Sequence, residues 1–292
     1  MNFKLKPICI SLGILCPISV SFNACKNAPT ETTADKTTVV EKTRIDSANQ
    51  ELTIDLAALM ERNKANAATI AVDYDHYFKK PKRFLGLNLA TIIDSVVRAN
   101  HFDTSNTVVV FDCKDGYKPT MNLAKMYTKK GFIAFKDLEA KGKSLWIDSM
   151  SARLEPYYLV WQNVPPSDNS FTWPYGLTTL RLVPASDEFK DIYPFQNPEM
   201  VKGFTLFRDN CNKCHAVNQV GGVMGPEFNV PKNITEYWRE EDMIQFAHNP
   251  TSYRISSKMP PMSDVSTEDL KEIISYLRFM ANHKLKDRKS VV

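Results

Sequence analysis

The spacing of apolar positions changes character along the chain. A short apolar run from Ile8 to Phe22 is followed by a stretch in which almost nothing large and apolar recurs until about residue 50. From there to about residue 196, β-branched and aromatic runs alternate with a few stretches of helical spacing. Thr69–Val72, Thr107–Phe111, Phe132–Phe135, Tyr157–Trp161 and Thr178–Val183 read as strands, the last ended by Pro184. Ala90–Arg98 places apolar residues at helical spacing, Leu123–Thr128 reads as a short helix stopped by Gly131, and Asp115-Gly116 is a turn. Several strands and few helices predict an α+β, β-rich domain. Beyond residue 197 the spacing is helical. Asn197-Pro198-Glu199 opens one helix, and Ser266-Thr267-Glu268-Asp269 opens another that carries Ile273, Ile274, Tyr276 and Leu277. The pattern divides the chain into segments 1–24, 25–49, 50–196, 197–284 and 285–292.

Composition sharpens this division. A chain of 292 residues is long enough for two domains, and 43% hydrophobic with 24% charged residues describes soluble globular material. A net charge of +4 is too mild to argue for a nucleic-acid partner. From Lys26 to Asn49 the chain is rich in Thr, Lys, Glu, Asp and Ala, so burial cannot offset its ordering entropy, and a disordered tether is expected. The basic end, Lys284 to Val292, reads as a frayed, solvated tail.

The helix opened at Asn197 runs into Cys211-Asn212-Lys213-Cys214-His215. Two thiols three positions apart, followed at once by an imidazole, suit covalent attachment of one haem c. The sulfurs add to the two vinyl groups and His215 ligates the iron. A redox Cys-X-X-Cys or half of a zinc site are the plainer readings, but no second cysteine pair lies downstream. Cys9, Cys16 and Cys25 fall in the first segment and Cys113 stands alone, read as a small buried hydrophobe, so no disulfide framework is evident. The sixth iron position calls for a thioether or a second imidazole, with Met259, Met262 and His248 as candidates.

Gly203, Phe207, the Cys211–His215 motif, Met224-Gly225-Pro226-Glu227-Phe228 and Tyr276 together make residues 197–284 resemble a class I cytochrome c. The resemblance implies an all-α domain in which Gly203 and Phe207 pack against Tyr276. It also implies that the Pro226 carbonyl accepts a hydrogen bond from the second ring nitrogen of His215 and that Met259, followed by proline, is the distal ligand, with Met262 as the alternative. Such ligation leaves no open iron position, so the implied function is single-electron transfer. Trp238, Tyr253 and Arg254 are candidate neighbours of the haem propionates.

Phe84-Leu85-Gly86-Leu87-Asn88-Leu89, Asp115-Gly116-Tyr117 and Leu180-Arg181-Leu182-Val183-Pro184 resemble the molybdopterin-binding domain of the sulfite-oxidase-like oxidoreductases. In that family a cysteine thiolate binds molybdenum. Cys113, on the strand two residues before the turn, is read as not matching that ligand, so molybdopterin is not expected and the domain is taken as an accessory docking module. Arg83, Arg98, Arg153 and Arg181 are read as solvated, and His76 and His101 as structural or exposed. At the N-terminus, Lys4 and Lys6, the apolar run and Asn23-Ala24-Cys25-Lys26 resemble the signal peptide and lipobox of bacterial lipoproteins. This implies export to the periplasmic side and a lipid on Cys25; a plain secreted protein or an uncleaved anchor are the alternatives. The expected whole is a lipid-anchored monohaem electron carrier serving redox proteins of a respiratory chain. Its rivals are a molybdenum-dependent sulfite-dehydrogenase-like enzyme with a built-in haem acceptor, and a haem-based redox sensor or binding module.

Overall fold

Residues 45–46, 51–141, 145–146 and 151–285 are described in a computed structural model. The chain divides into Met1–Val40 and Glu41–Val292. The expected signal segment, Cys25, most of the expected tether and residues 286–292 lie outside the described residues.

Strands β1 (Ile45–Asp46), β2 (Glu51–Asp55), β3 (Ala68–Asp75), β4 (Lys80–Asn88), β5 (Thr107–Cys113), β6 (Thr120–Asn122), β7 (Lys130–Asp137), β8 (Tyr157–Gln162) and β9 (Tyr175–Pro184) form one sheet in which every pairing is antiparallel. Helices α1 (Leu56–Asn63), α2 (Leu89–Ala99), α3 (Leu123–Met126), α4 (Ser151–Leu154) and α5 (Ala185–Glu188) connect them. The order is β1-β2-β9-β8-β7-β4-β3, with β5 hydrogen-bonded to β9 and β6. Each of the five expected strands lies within one of these. Ile45 and Asp46, inside the expected tether, instead pair with Leu52 and Glu51.

Two departures have local causes. Gly131 does not stop the helix before it: α3 ends at Met126, and Gly131 lies within β7, opposite Trp161. A Cβ there would stand 2.7 Å from the Trp161 ring, so the bare backbone makes room for the indole. Strand β4 escapes an alternation test because an inward position holds Lys82. Its ammonium is buried, bonded to Asp137 at 2.7 Å and Glu139 at 2.9 Å, and stands 4.5 Å from the centre of the Phe78 ring.

The continuous apolar run of β5 reflects cover on both faces. Val108, Val110 and Val183 share a core with Phe189 and Ile192, and with Phe204, Phe207, Val217, Leu270, Ile273, Tyr276 and Leu277 from the helical part of the chain. The boundary expected at residue 196/197 therefore falls inside one packed unit. The helical part comprises α6 (Val201–Asn210), a small hairpin of β10 (Ala216–Val217) and β11 (Val220–Gly221), α7 (Glu240–His248), α8 (Pro250–Tyr253) and α9 (Thr267–Met280). Among the described residues no helix is long and apolar enough to cross a membrane.

Candidate haem-attachment site

The attachment motif is a continuation of α6. Asn197 accepts the Glu199 N–H at 3.2 Å, but Pro198–Met200 form a 3-10 turn and the α-helix proper begins at Val201. Gly203 faces α9 so closely that a Cβ would stand 2.7 Å from the Cβ of Tyr276 and against the Glu272 carbonyl. Only glycine permits that backbone approach. The Phe207 and Tyr276 rings lie 5.6 Å apart, and the Tyr276 hydroxyl donates to the Ile192 carbonyl at 2.7 Å. The helix crossing expected at Gly203, Phe207 and Tyr276 is present, and it fixes the direction from which the chain enters the motif.

Through the motif the backbone stays turned: Cys211 and Asn212 both donate to the Phe207 carbonyl, at 2.8 and 2.9 Å, and Cys214 and His215 both donate to the Cys211 carbonyl, at 3.0 and 2.9 Å. A helical turn puts positions three apart on one face, so the two sulfurs lie on the same side. Both thiols are free. Burial pushes the Cys211 thiol up to about 12 and raises that of Cys214 as well. The attacking cysteine of a redox pair needs the opposite shift, toward the thiolate, which disfavours the redox reading.

His215 is only 8% exposed, and burial lowers its basicity while the Pro226 carbonyl opposes that shift. Its Nδ1 lies 2.8 Å from the Pro226 carbonyl oxygen. A carbonyl can only accept, so Nδ1 carries the proton and the lone pair is on Nε2, the nitrogen a metal needs. The ring is stacked on Phe228 with centroids 4.1 Å apart. A Cβ on Gly225 would collide with the imidazole, so that glycine sets how closely the Pro226 segment approaches His215. Paired free thiols on one face and a buried neutral imidazole with a fixed tautomer fit the donor set of haem c.

Residues 198–277 match the model of a family described as cytochrome c oxidase, cbb3-type, subunit III. The C-terminal region contains a cytochrome c domain. It implies covalently bound haem c and an electron-transfer role. The polar network that holds this cytochrome domain together was not visible in the sequence. Asn218, Asn229 and Asn233 are buried and joined in series: Asn229 donates to Asn218 at 2.8 Å and Asn233 donates to Asn229 at 2.7 Å. The ends are tied to backbone, with Asn218 donating to the Asp191 and His283 carbonyls and Asn233 to that of Leu277. Glu227 accepts the N–H groups of Asn218, Gln219 and Asn229 at 2.8 to 3.0 Å. The spacing of three separate asparagines gives no sign of this chain, because the contacts are made across loops. Asn233→Ala orphans buried partners at about 1–3 kcal/mol each. Denaturant unfolding should show a loss on the order of 3 kcal/mol with unchanged slope.

Trp238, Phe246 and Tyr253 form a ring cluster, with the Arg254 guanidinium 5.9 Å from the Trp238 ring centre. The structure thus brings Trp238, Tyr253 and Arg254 together, although the Tyr253 hydroxyl is engaged with Gln245 at 2.8 Å. Met262 packs against the shared core and its N–H donates to the Ala247 carbonyl at 2.9 Å. The His248 Nε2 lies 2.9 Å from the Val265 carbonyl. Met259 is half-buried in the loop between α8 and α9, its N–H 3.3 Å from the Ser257 hydroxyl. Lys284 and Leu285, at the start of the expected frayed tail, are tied to Glu236 and Asn218.

Among the described residues the four arginines named above do not converge on one site. Arg181, expected on the surface, is held among Asp112, Glu51 and Glu188 at 2.9 to 3.3 Å, because β9 carries it between β2 and β5. Arg83 and Arg153 are exposed, and Arg98 faces Asp94 at 3.8 Å. His76 stacks on Trp173 with centroids 4.8 Å apart, and His101 is exposed after α2. Cys113 is buried, and desolvation pushes its thiol well above the usual range.

Proposed function

We propose that this protein is an exported, lipid-anchored monohaem cytochrome that passes single electrons between redox proteins of a respiratory chain, with the sheet as an accessory element. The observation that carries the reading is the short contact between the His215 Nδ1 and the Pro226 carbonyl, made beside two free thiols on one helical turn. When bound, haem c supplies a one-electron iron couple. His215 would ligate the iron through Nε2, which its Nδ1–H bond to the Pro226 carbonyl keeps unprotonated. Met259 is proposed for the other position, supported by the packing of Met262 on the core. Arg254 and Trp238 are proposed as partners of the haem propionates. Cys25 is proposed as the lipid attachment point on the periplasmic side.

Spectroelectrochemical titration of the purified chain should give one wave with a one-electron slope and a low-spin spectrum in both states. Added carbon monoxide should leave the reduced spectrum unchanged. Ready binding of carbon monoxide to the unmodified protein would contradict the carrier reading, because an electron carrier has no need of an open iron position.

A further inference from the structure

The β5–β6 turn reaches from the sheet to the haem-attachment loop. The Asp115 carboxylate accepts the Tyr117 N–H at 3.1 Å, Cys113 and Tyr117 are bonded through their backbones at 3.0 Å, and Gly116 closes the turn at φ 87°, a conformation that favours glycine. Two bonds then cross to the cytochrome domain. The Lys118 N–H donates to the Lys213 carbonyl at 2.8 Å, and the Val223 N–H donates to the Gly116 carbonyl at 2.9 Å. The first grips the residue just before Cys214, and the second grips the loop that leads to Gly225 and Pro226. Contact is close here, since a Cβ on Gly116 would stand 2.6 Å from a Val223 methyl. Tyr117 is carried between the two bonds and is partly buried. Desolvation raises its phenol well above the ordinary value, and the nearby Cys214 and Cys113 thiols add to the shift.

We infer that the β5–β6 turn is part of the haem site, holding the attachment loop from the sheet side, and that the Tyr117 ring shields the Cys214 thioether edge from water. The inference rests on the haem reading given above. It makes Tyr117 a positioning residue and gives the sheet a role in setting the redox properties of its own cytochrome domain. Water close to the attached edge favours the more highly charged oxidised state, so a shielded edge holds the potential up.

The test compares the full-length, haem-loaded protein with Tyr117→Ala, Tyr117→Leu and Tyr117→Phe. Haem per chain is measured first; its absence from the unmodified protein would defeat the haem reading rather than this inference. With haem present in all four, Tyr117→Ala should shift the oxidised-to-reduced ratio at fixed potential about tenfold toward oxidised, equivalent to about 59 mV for one electron. Tyr117→Leu, which keeps much of the side-chain volume, should shift less, and Tyr117→Phe should match the parent. Hydrogen exchange at the Lys118 and Val223 amides should quicken in Tyr117→Ala and stay slow in Tyr117→Phe, a readout independent of the iron. Equal potentials across the series, or a Tyr117→Phe shift as large as that of Tyr117→Ala, would overturn the shielding role.

Discussion

Changing both Cys211 and Cys214 to serine is expected to reduce covalently held haem to background, and either single change should leave a weakened attachment through one bond. A serine hydroxyl does not replace a thiol in adding to a vinyl group. Cys113 is the other free cysteine among the described residues, and it is buried on a strand of the sheet. The turn is also rigid, because four backbone N–H groups from Cys211 to His215 converge on the Phe207 and Cys211 carbonyls. The readout is haem remaining on the chain after denaturing electrophoresis. His215 survives in these variants, so haem that binds but extracts freely would be consistent with the reading. Full retention in the double variant would contradict it.

Met259→Ala is expected to lower the reduction potential by a substantial fraction of the roughly 0.8 V range over which axial ligands set it, and to open the iron to added ligands. Met262→Ala should behave in the opposite way. Its side chain packs on the shared core, so its loss should cost about 1–3 kcal/mol of stability, below the full range for a wholly buried methionine, and leave the potential near that of the parent. Potential and denaturation midpoint measured on both variants separate the roles. A potential that falls only in Met262→Ala would reassign the ligand.

What could be read from the sequence depended on how local the signal was. The Cys211–His215 motif, the Gly203 and Tyr276 crossing and the Pro226 acceptor are each carried by a few residues whose spacing follows helix geometry or a family pattern, and the contacts are present. Strands such as β5 and β8 were visible because β-branched and aromatic residues fill them. Strand β4 was hidden by Lys82, whose partners Asp137 and Glu139 lie far along the chain. The asparagine series and the Lys118 to Lys213 bond were hidden for the same reason, since neither leaves a periodic trace. The boundary at residue 196/197 marks a change of spacing. That change is real, yet Val108, Val110 and Val183 bury one face of the sheet against α6 and α9, so a change of spacing does not mark a gap in packing. A lone arginine is usually solvated, whereas the pairing of β2, β9 and β5 brings three carboxylates around Arg181.

The most direct test is mass spectrometry on the denatured full chain, followed by a digest. The expected result is a mass increase of one haem, carried on the peptide that contains Cys211 to His215 and abolished in the double serine variant. A chain isolated from a host able to attach haem, with unmodified thiols at Cys211 and Cys214, would contradict it.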